Sequence, residues 1–342
     1  MYVINLLMQR IGFATGYAPD ATVRDMIGWI QSAEKRRFEM GFFSETINLV
    51  RDAVSALSSF SVSTQKIALG ATQIVRLRSP LVMAQTMATL DELSGGRTVF
   101  AFGACTQSHA VRHGLEVLDP AAILVEYVES VRQILTGDEA SYEGKFVKFK
   151  NIRLSFEPPR RRIPIWIAAT SKTGLRIAGA VGDGVLLNTI ASPDYSKNAV
   201  EIVRNSAREA GRNPEDLEVA QLIVAAASEN QKEAIDAVRW EVANKFTPTQ
   251  AGFNFRQKLR VGESVMKEED FPMLQKAYET GGMEGLMRAL PESYLTGLAA
   301  CGTPDEVKER LGEYSSAKVR LPLVRPAKAE LSTELIDLLA PD

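Results

Sequence analysis

Short runs of apolar, strand-forming residues alternate along this chain with longer segments whose apolar positions recur at the helical period. The first three pairs are "RIGFA" (10–14) before 22–39, "FFSET" (42–46) before 51–63, and "KIALGA" (66–71) before 79–94. The rhythm continues with "RTVFAFG" (97–103), "IPIWIAA" (163–169), "DGVLLN" (183–188), "LEVAQLIVAAA" (217–227) and "VRLPLV" (319–324). Near-continuous apolar strands separated by helices imply a parallel sheet covered on both faces. Eight such units predict closure into an α/β (β/α)8 TIM barrel, with an open doubly wound sheet as the alternative. Helix ends agree: Ser79-Pro80 and Thr303-Pro304 fit an N-cap followed by a first-turn proline, and Ser94-Gly95-Gly96 fits a stop.

Two segments break the rhythm. Residues 137–162 read as a hairpin turning at Gly144-Lys145, and 247–292 is glycine-punctuated and rich in Met and Phe, with helical stretches around 268–280 and 283–289. Both are too long for ordinary connections, which predicts insertions that act as lids at the C-terminal face of one domain spanning 1–342.

Composition narrows the class of function. With 45% hydrophobic residues, 24% charged residues and a net charge of −2, the chain fits a soluble enzyme, with neither nucleic acid nor membrane as a partner. Its two cysteines, Cys105 and Cys301, are too far apart in sequence to suggest a disulfide framework, so a cytoplasmic setting is expected. "MYVINLLM" lacks a basic start and a cleavage site, and no apolar run approaches the ~18 residues of a membrane span.

Catalytic groups of barrels stand at the C-terminal ends of strands, so Thr46, Thr72, Gln73, Gly103 to Thr106, Ala168 to Lys172 and Asn188 should converge in one pocket. "RTVFAFGACTQSHAVRHG" (97–114) gathers Cys105, His109 and His113, but zinc needs three or four ligands and no HExxH is present, so no metal is expected. If 106–114 is helical, the two histidines share a face. A Cys-His nucleophile pair and a small buried cysteine both remain open for Cys105. "AATSKTG" (168–174) opens a helix after the fifth strand, where it serves either as a phosphate cradle, with Lys172 adding charge, or as a plain N-cap. "VGDGVLLN" (181–188) reads as a tight turn before the sixth strand. Arg160-Arg161-Arg162 reads as a solvated connector or an anion-steering patch, and Asp91 and Glu92 as structural.

Four stretches together resemble the bacterial luciferase-like superfamily of flavin-dependent monooxygenases and coenzyme F-420 dependent reductases: "SPLVMAQTMATLDELSGGRTVFAFG" (79–103), "EYVESVRQILTGDEASYEGKFVKFKN" (126–151), "PIWIAATSKTGLRIAGAVGDGVLLN" (164–188) and "GTPDEVKERLGEY" (302–314). The resemblance runs from about residue 10 to 325, and "GDGVLLN" with "YEGKFVKFKN" is similar to the methylene-tetrahydromethanopterin reductase branch. It implies a cofactor, coenzyme F-420 or FMN, whose ring lies across the strand ends at Thr72, Gln73, Gly103, Ala104, Cys105 and Asn188. The cofactor phosphate would rest on Ala169, Thr170, Ser171 and Lys172. A non-prolyl cis peptide would fall within Gly70-Ala71-Thr72-Gln73, and a homodimer would form through 51–63 and 79–94. Where relatives have an Asp-His pair after strand two, this chain has Glu45-Thr46-Ile47-Asn48, and where the methanopterin reductases have a strand-one glutamate, it has Phe13 and Thr15.

The reading is hydride transfer between deazaflavin and a small organic substrate, with Glu45, Thr46 and His109 as candidate proton donors. The alternatives are a two-component FMN monooxygenase fed by a separate flavin reductase, a non-catalytic flavin-binding barrel, and a Cys-His hydrolase.

Overall fold

A computed structural model of the chain describes residues 10–16, 21–45 and 50–341, with the side chains of 249 and 251–254 left aside. Eight parallel strands close a barrel: β1 (Gly12–Thr15), β2 (Met40–Phe43), β3 (Ala68–Ile74), β4 (Thr98–Gly103), β7 (Ile165–Ala169), β8 (Gly184–Leu187), β9 (Glu218–Ala227) and β11 (Leu321–Pro326). Each pairs with its neighbour, and β11 pairs with both β9 and β1, which completes the ring. All eight expected strands are there. The second starts two residues earlier than its apolar run, at Met40 beside Gly12 of β1.

Alternation along the strands builds two cores. Ala14, Met40, Phe42, Val99, Ala101, Trp166, Leu186, Leu222 and Leu323 fill the barrel interior, where the Phe42 and Trp166 rings stack. Residues of the opposite parity, such as Phe13, Leu69, Phe100 and Ile167, face the helices. Those helices are α1 (Val23–Lys35), α2 (Ala53–Ser63), α3 (Pro80–Ser94), α5 (Pro120–Leu135), α6 (Lys172–Val181), α7 (Pro193–Glu209), α8 (Gln231–Asn244) and α12 (Pro304–Ser316). Their ends follow the sequence signals: Ser79 caps α3 through its side chain, and Gly95 ends it in the left-handed region at φ 69°, where a Cβ would be strained. Thr303 and Glu306 form a reciprocal capping box on α12.

The two insertions differ in kind. Residues 137–162 form the expected hairpin, β5 (Ala140–Glu143) and β6 (Lys148–Ile152), on the connection from α5 to β7. Its turn is held against the outside of α5, because the Glu126 carboxylate accepts the backbone N–H groups of Lys145, Phe146 and Val147. The second insertion contains α9 (Pro248–Val261), α10 (Phe271–Ala289, broken at Gly282), and α11 (Glu292–Leu298), followed by β10 (Ala300–Gly302), which pairs with the far end of β9. It has its own core, in which Phe246, Phe255, Leu274, Leu286 and Tyr294 pack against α8.

Charged pairs brace the N-terminal side of the barrel. Asp91, fully buried at the end of α3, takes two hydrogen bonds from the Arg160 guanidinium, and Asp183 is bridged by Arg132 and Arg162. Arg160 is therefore a structural brace, whereas Arg161 and Arg162 are exposed, as a solvated connector would be, with Arg162 pairing Asp183 from the surface. Among the described residues, no helix is long and apolar enough to cross a membrane.

Candidate active site

A cavity of about 260 Å³ opens at the C-terminal ends of the barrel strands. Three sides of it follow strand order. On the β2–β3 side stand Ser44, Glu45, Thr72 and Gln73. In the middle, Gly103, Ala104, Ala168 and Ala169 come from the paired ends of β4 and β7, and Asn188 and Thr189 follow β8. Across the barrel the wall is Leu222, Lys245, Gln250 and Arg325.

The middle wall is built from residues with almost no side chain. A Cβ added at Gly103 would find its nearest neighbours at 3.9 and 4.0 Å, the Gln73 carbonyl oxygen and Ala168 Cβ, so nothing but cavity occupies that direction. Such a wall accepts a flat aromatic system lying against the backbone. Beside it Thr170 and Ser171 lead into α6, whose N-cap is Ser171, with its hydroxyl accepting the Gly174 N–H at 3.2 Å. Ser171 is thus an N-cap, and the helix start, like any other, has backbone N–H groups without intrahelical partners.

Glu45 is the acid of the site. Its Oε1 accepts the Ala53 N–H at the start of α2 (2.8 Å), and its Oε2 accepts from Gln73 Nε2 (2.8 Å). Its own N–H donates to Thr72 Oγ1 at 2.7 Å, so α2 and β3 together fix the carboxyl and the backbone that carries it. Burial raises its pKa; the Ala53 amide, Arg78 and Gln73 oppose this, while nearby Asp52 reinforces it. His109, on the short helix α4 (Gln107–Arg112), lies within 3.1 Å of Thr106 Oγ1 through Nδ1. Burial, then Arg112 and His113, lower its pKa, which keeps the ring neutral at pH 7.

Of the expected site residues, Glu45, His109, Thr72, Gln73, Gly103, Ala104, Ala169, Thr170, Ser171 and Asn188 meet in this cavity. Thr46 lies outside the described residues. Cys105 and Lys172 are not among the residues that line the cavity. The Cys105 side chain turns away from the cavity into the core among the helices, where burial raises its thiol pKa, and Arg76 opposes that rise. A neutral, buried thiol also removes the basis for a Cys-His pair. Lys172, at the first position of α6, is exposed and contributes nothing to the lining. Phe13 and Thr15 are likewise absent from the lining.

The expected cis peptide is also absent. The described peptide bonds are trans, and β3 pairs with β4 residue for residue from Leu69 to Ile74 with no bulge. Lys245, Gln250 and Arg325 escaped the sequence reading. Arg325 is buried in a two-point ion pair with Glu241 of α8, at 3.0 and 2.9 Å. Neither residue sits in a motif, and the only signal was a charge directly after the apolar run of the last strand.

The fold and the cavity can now be set beside known proteins. The model of the luciferase-like monooxygenase family matches residues 1–321. The chain belongs to that family. As a luciferase-like oxidoreductase it is 27% identical over 309 residues to the 5,10-methylenetetrahydromethanopterin reductase of Archaeoglobus fulgidus, covering 90% of this chain and 91% of that protein. The corresponding reductase of Methanopyrus kandleri is 26% identical over 334 residues, with 91% of each chain covered. Among solved structures, the coenzyme F420 dependent tetrahydromethanopterin reductase of Methanopyrus kandleri superposes with a TM-score of 0.82 at 24% identity, covering 96% and 97% of the two chains. An F420-dependent secondary alcohol dehydrogenase in complex with an F420-acetone adduct gives 0.76 at 18% identity, covering 98% and 99%. These superpositions establish the same barrel.

Proposed function

We propose that the chain transfers hydride between deazaflavin coenzyme F420 and a small organic substrate. The observation that carries this reading is the trough of Gly103, Ala104, Ala168 and Ala169 running into the amide-bearing start of α6, which fits a planar tricycle with a phosphate on its tail. The likeness to methylenetetrahydromethanopterin reductases, one solved example of which is described as coenzyme F420 dependent, supports deazaflavin. When bound, the coenzyme supplies hydride chemistry that no side chain offers.

The protein's own residues bind, shield and protonate. Thr170, Ser171 and the first N–H groups of α6 hold the phosphate, while the alanines and Gly103 set the depth of the ring. Gln73 and the Ala53 N–H keep the Glu45 carboxyl at the edge of the trough, and burial lets it hold a proton nearer neutrality than an exposed glutamate does. Glu45 is therefore the proton donor or acceptor in this reading, with the neutral His109 ring as a hydrogen-bonding neighbour. Lys245, Gln250 and Arg325 face the substrate from the far wall. The FMN monooxygenase, with its separate flavin reductase, is the alternative reading of the same trough. A homodimer through α2 and α3 is part of the proposal, supported by Val62, Val82 and Leu93 exposed on those helices.

The test is a fluorescence titration of the purified protein with coenzyme F420 and with FMN, alongside its absorption spectrum. Saturable binding of F420, tighter than that of FMN, is expected. Failure of F420 to bind, with FMN bound tightly, overturns the assignment.

A further inference from the structure

The turn from β8 to α7 holds two residues of the cavity wall, Asn188 and Thr189, and the chain is strained immediately after them. Ile190, a β-branched residue with its side chain buried, has φ 55°, in the left-handed region such residues avoid. Strain of this kind persists only where the surroundings fix it.

What fixes it comes from elsewhere in the chain. Lys258 of α9, fully buried, donates from Nζ to the carbonyl oxygens of Thr189 (2.7 Å) and Ile190 (2.5 Å). Glu263, just past the end of α9, accepts the Ser192 N–H through Oε2 at 2.8 Å, and Tyr314 Oη of α12 donates to the Ala191 carbonyl at 2.6 Å. Four consecutive residues thus each have a backbone group held by a distant side chain. The end of α9 is pressed close to α7: Gly262, at φ 109°, would place a Cβ only 2.4 Å from Asn198 Nδ2. The turn in turn sets the pocket, since the Thr189 N–H donates to Asn188 Oδ1 at 2.8 Å and so orients the Asn188 amide.

We propose that Lys258 is a positioning residue: by gripping the strained 189–190 carbonyls it docks the second insertion onto the barrel and sets where Asn188 and Thr189 stand in the cavity. The N–H groups of a lysine amine suit two converging carbonyl oxygens, whereas an apolar replacement leaves both buried and unpaired. The affinity readout below rests on the deazaflavin reading, and the exchange readout does not.

The experiment compares Lys258→Met with Leu286→Ala, which removes a buried apolar side chain of the same insertion and leaves the four hydrogen bonds to the turn in place. Tyr314→Phe is a milder variant that loses only the donor to Ala191. Amide exchange at 189–192 and coenzyme F420 and FMN affinities are measured well below each melting temperature. Lys258→Met is expected to speed exchange in the turn and weaken cofactor binding by about tenfold, Tyr314→Phe by about threefold, and Leu286→Ala to leave both unchanged. If Leu286→Ala weakens binding as much as Lys258→Met does, or if exchange at 189–192 is the same in Lys258→Met as in the parent, the positioning role is wrong. If exchange changes as expected but the parent protein binds neither cofactor, the deazaflavin reading is what fails.

Discussion

Burial alters the chemistry of both Glu45 and Lys258. Glu45→Gln keeps the shape and a hydrogen-bonding group but cannot exchange a proton. Turnover should fall by roughly 10²–10³-fold, with F420 affinity within about twofold of the parent. Equal losses in turnover and affinity would mean that Glu45 only shapes the site. Lys258 predicts a pH dependence of stability. Burial, with Lys245 adding to it and Glu263 opposing, lowers its pKa from 10.5 to about 7. Between those values the unfolded chain binds a proton that the folded chain does not, so stability rises with pH from about 7. Above pH 9 the buried Cys301 thiol, pushed up to about 12, works in the opposite direction, since the unfolded chain then loses a proton that the fold retains. Unfolding in denaturant at pH 7 and pH 9 should therefore show a gain in the parent that Lys258→Met lacks. Cys105→Ser should leave cofactor affinity unchanged, because the thiol does not line the cavity.

At the scale of elements, the eight strands and their helices were legible because period and composition are local properties of the chain. The hairpin was legible from its glycine turn, but its seat on the side of α5 depends on Glu126, a surface glutamate that no local pattern singles out. The start of α6 carries the phosphate cradle of the proposed function. Ser171→Ala removes its cap and should cost about 1 kcal/mol of stability as well as F420 affinity. A stability loss with unchanged affinity would support the plain N-cap reading. Helix α9 was hidden by Gly252 and by a polar run, "RQKLR", that looks like a solvated helix face. Lys258 lies inside that run yet is fully buried, since only the tertiary fold brings the 189–190 carbonyls to it. Lys245, Gln250 and Arg325 were missed for the same reason. They come from the end of α8, from α9 and from β11, and no local pattern encodes their convergence.

Across the whole molecule, the two ends of the barrel divide the work. The N-terminal side is braced by Asp91 with Arg160 and by Asp183 with Arg132 and Arg162, while the C-terminal side carries the cavity and the second insertion. Breaking a brace should therefore act on stability alone. Asp91→Ala, which strands Arg160 and the Thr98 hydroxyl, should destabilise by about 3 kcal/mol while leaving F420 affinity unchanged in protein that remains folded. In the proposed function a planar coenzyme lies on the Gly103 wall. Titrating parent and Gly103→Val proteins with coenzyme F420, after circular dichroism has confirmed that both are folded, tests it most directly. The added side chain would project into the trough, so saturable binding in the parent and at least about a hundredfold weaker binding in Gly103→Val are expected. Equal affinity in the two proteins would contradict the account.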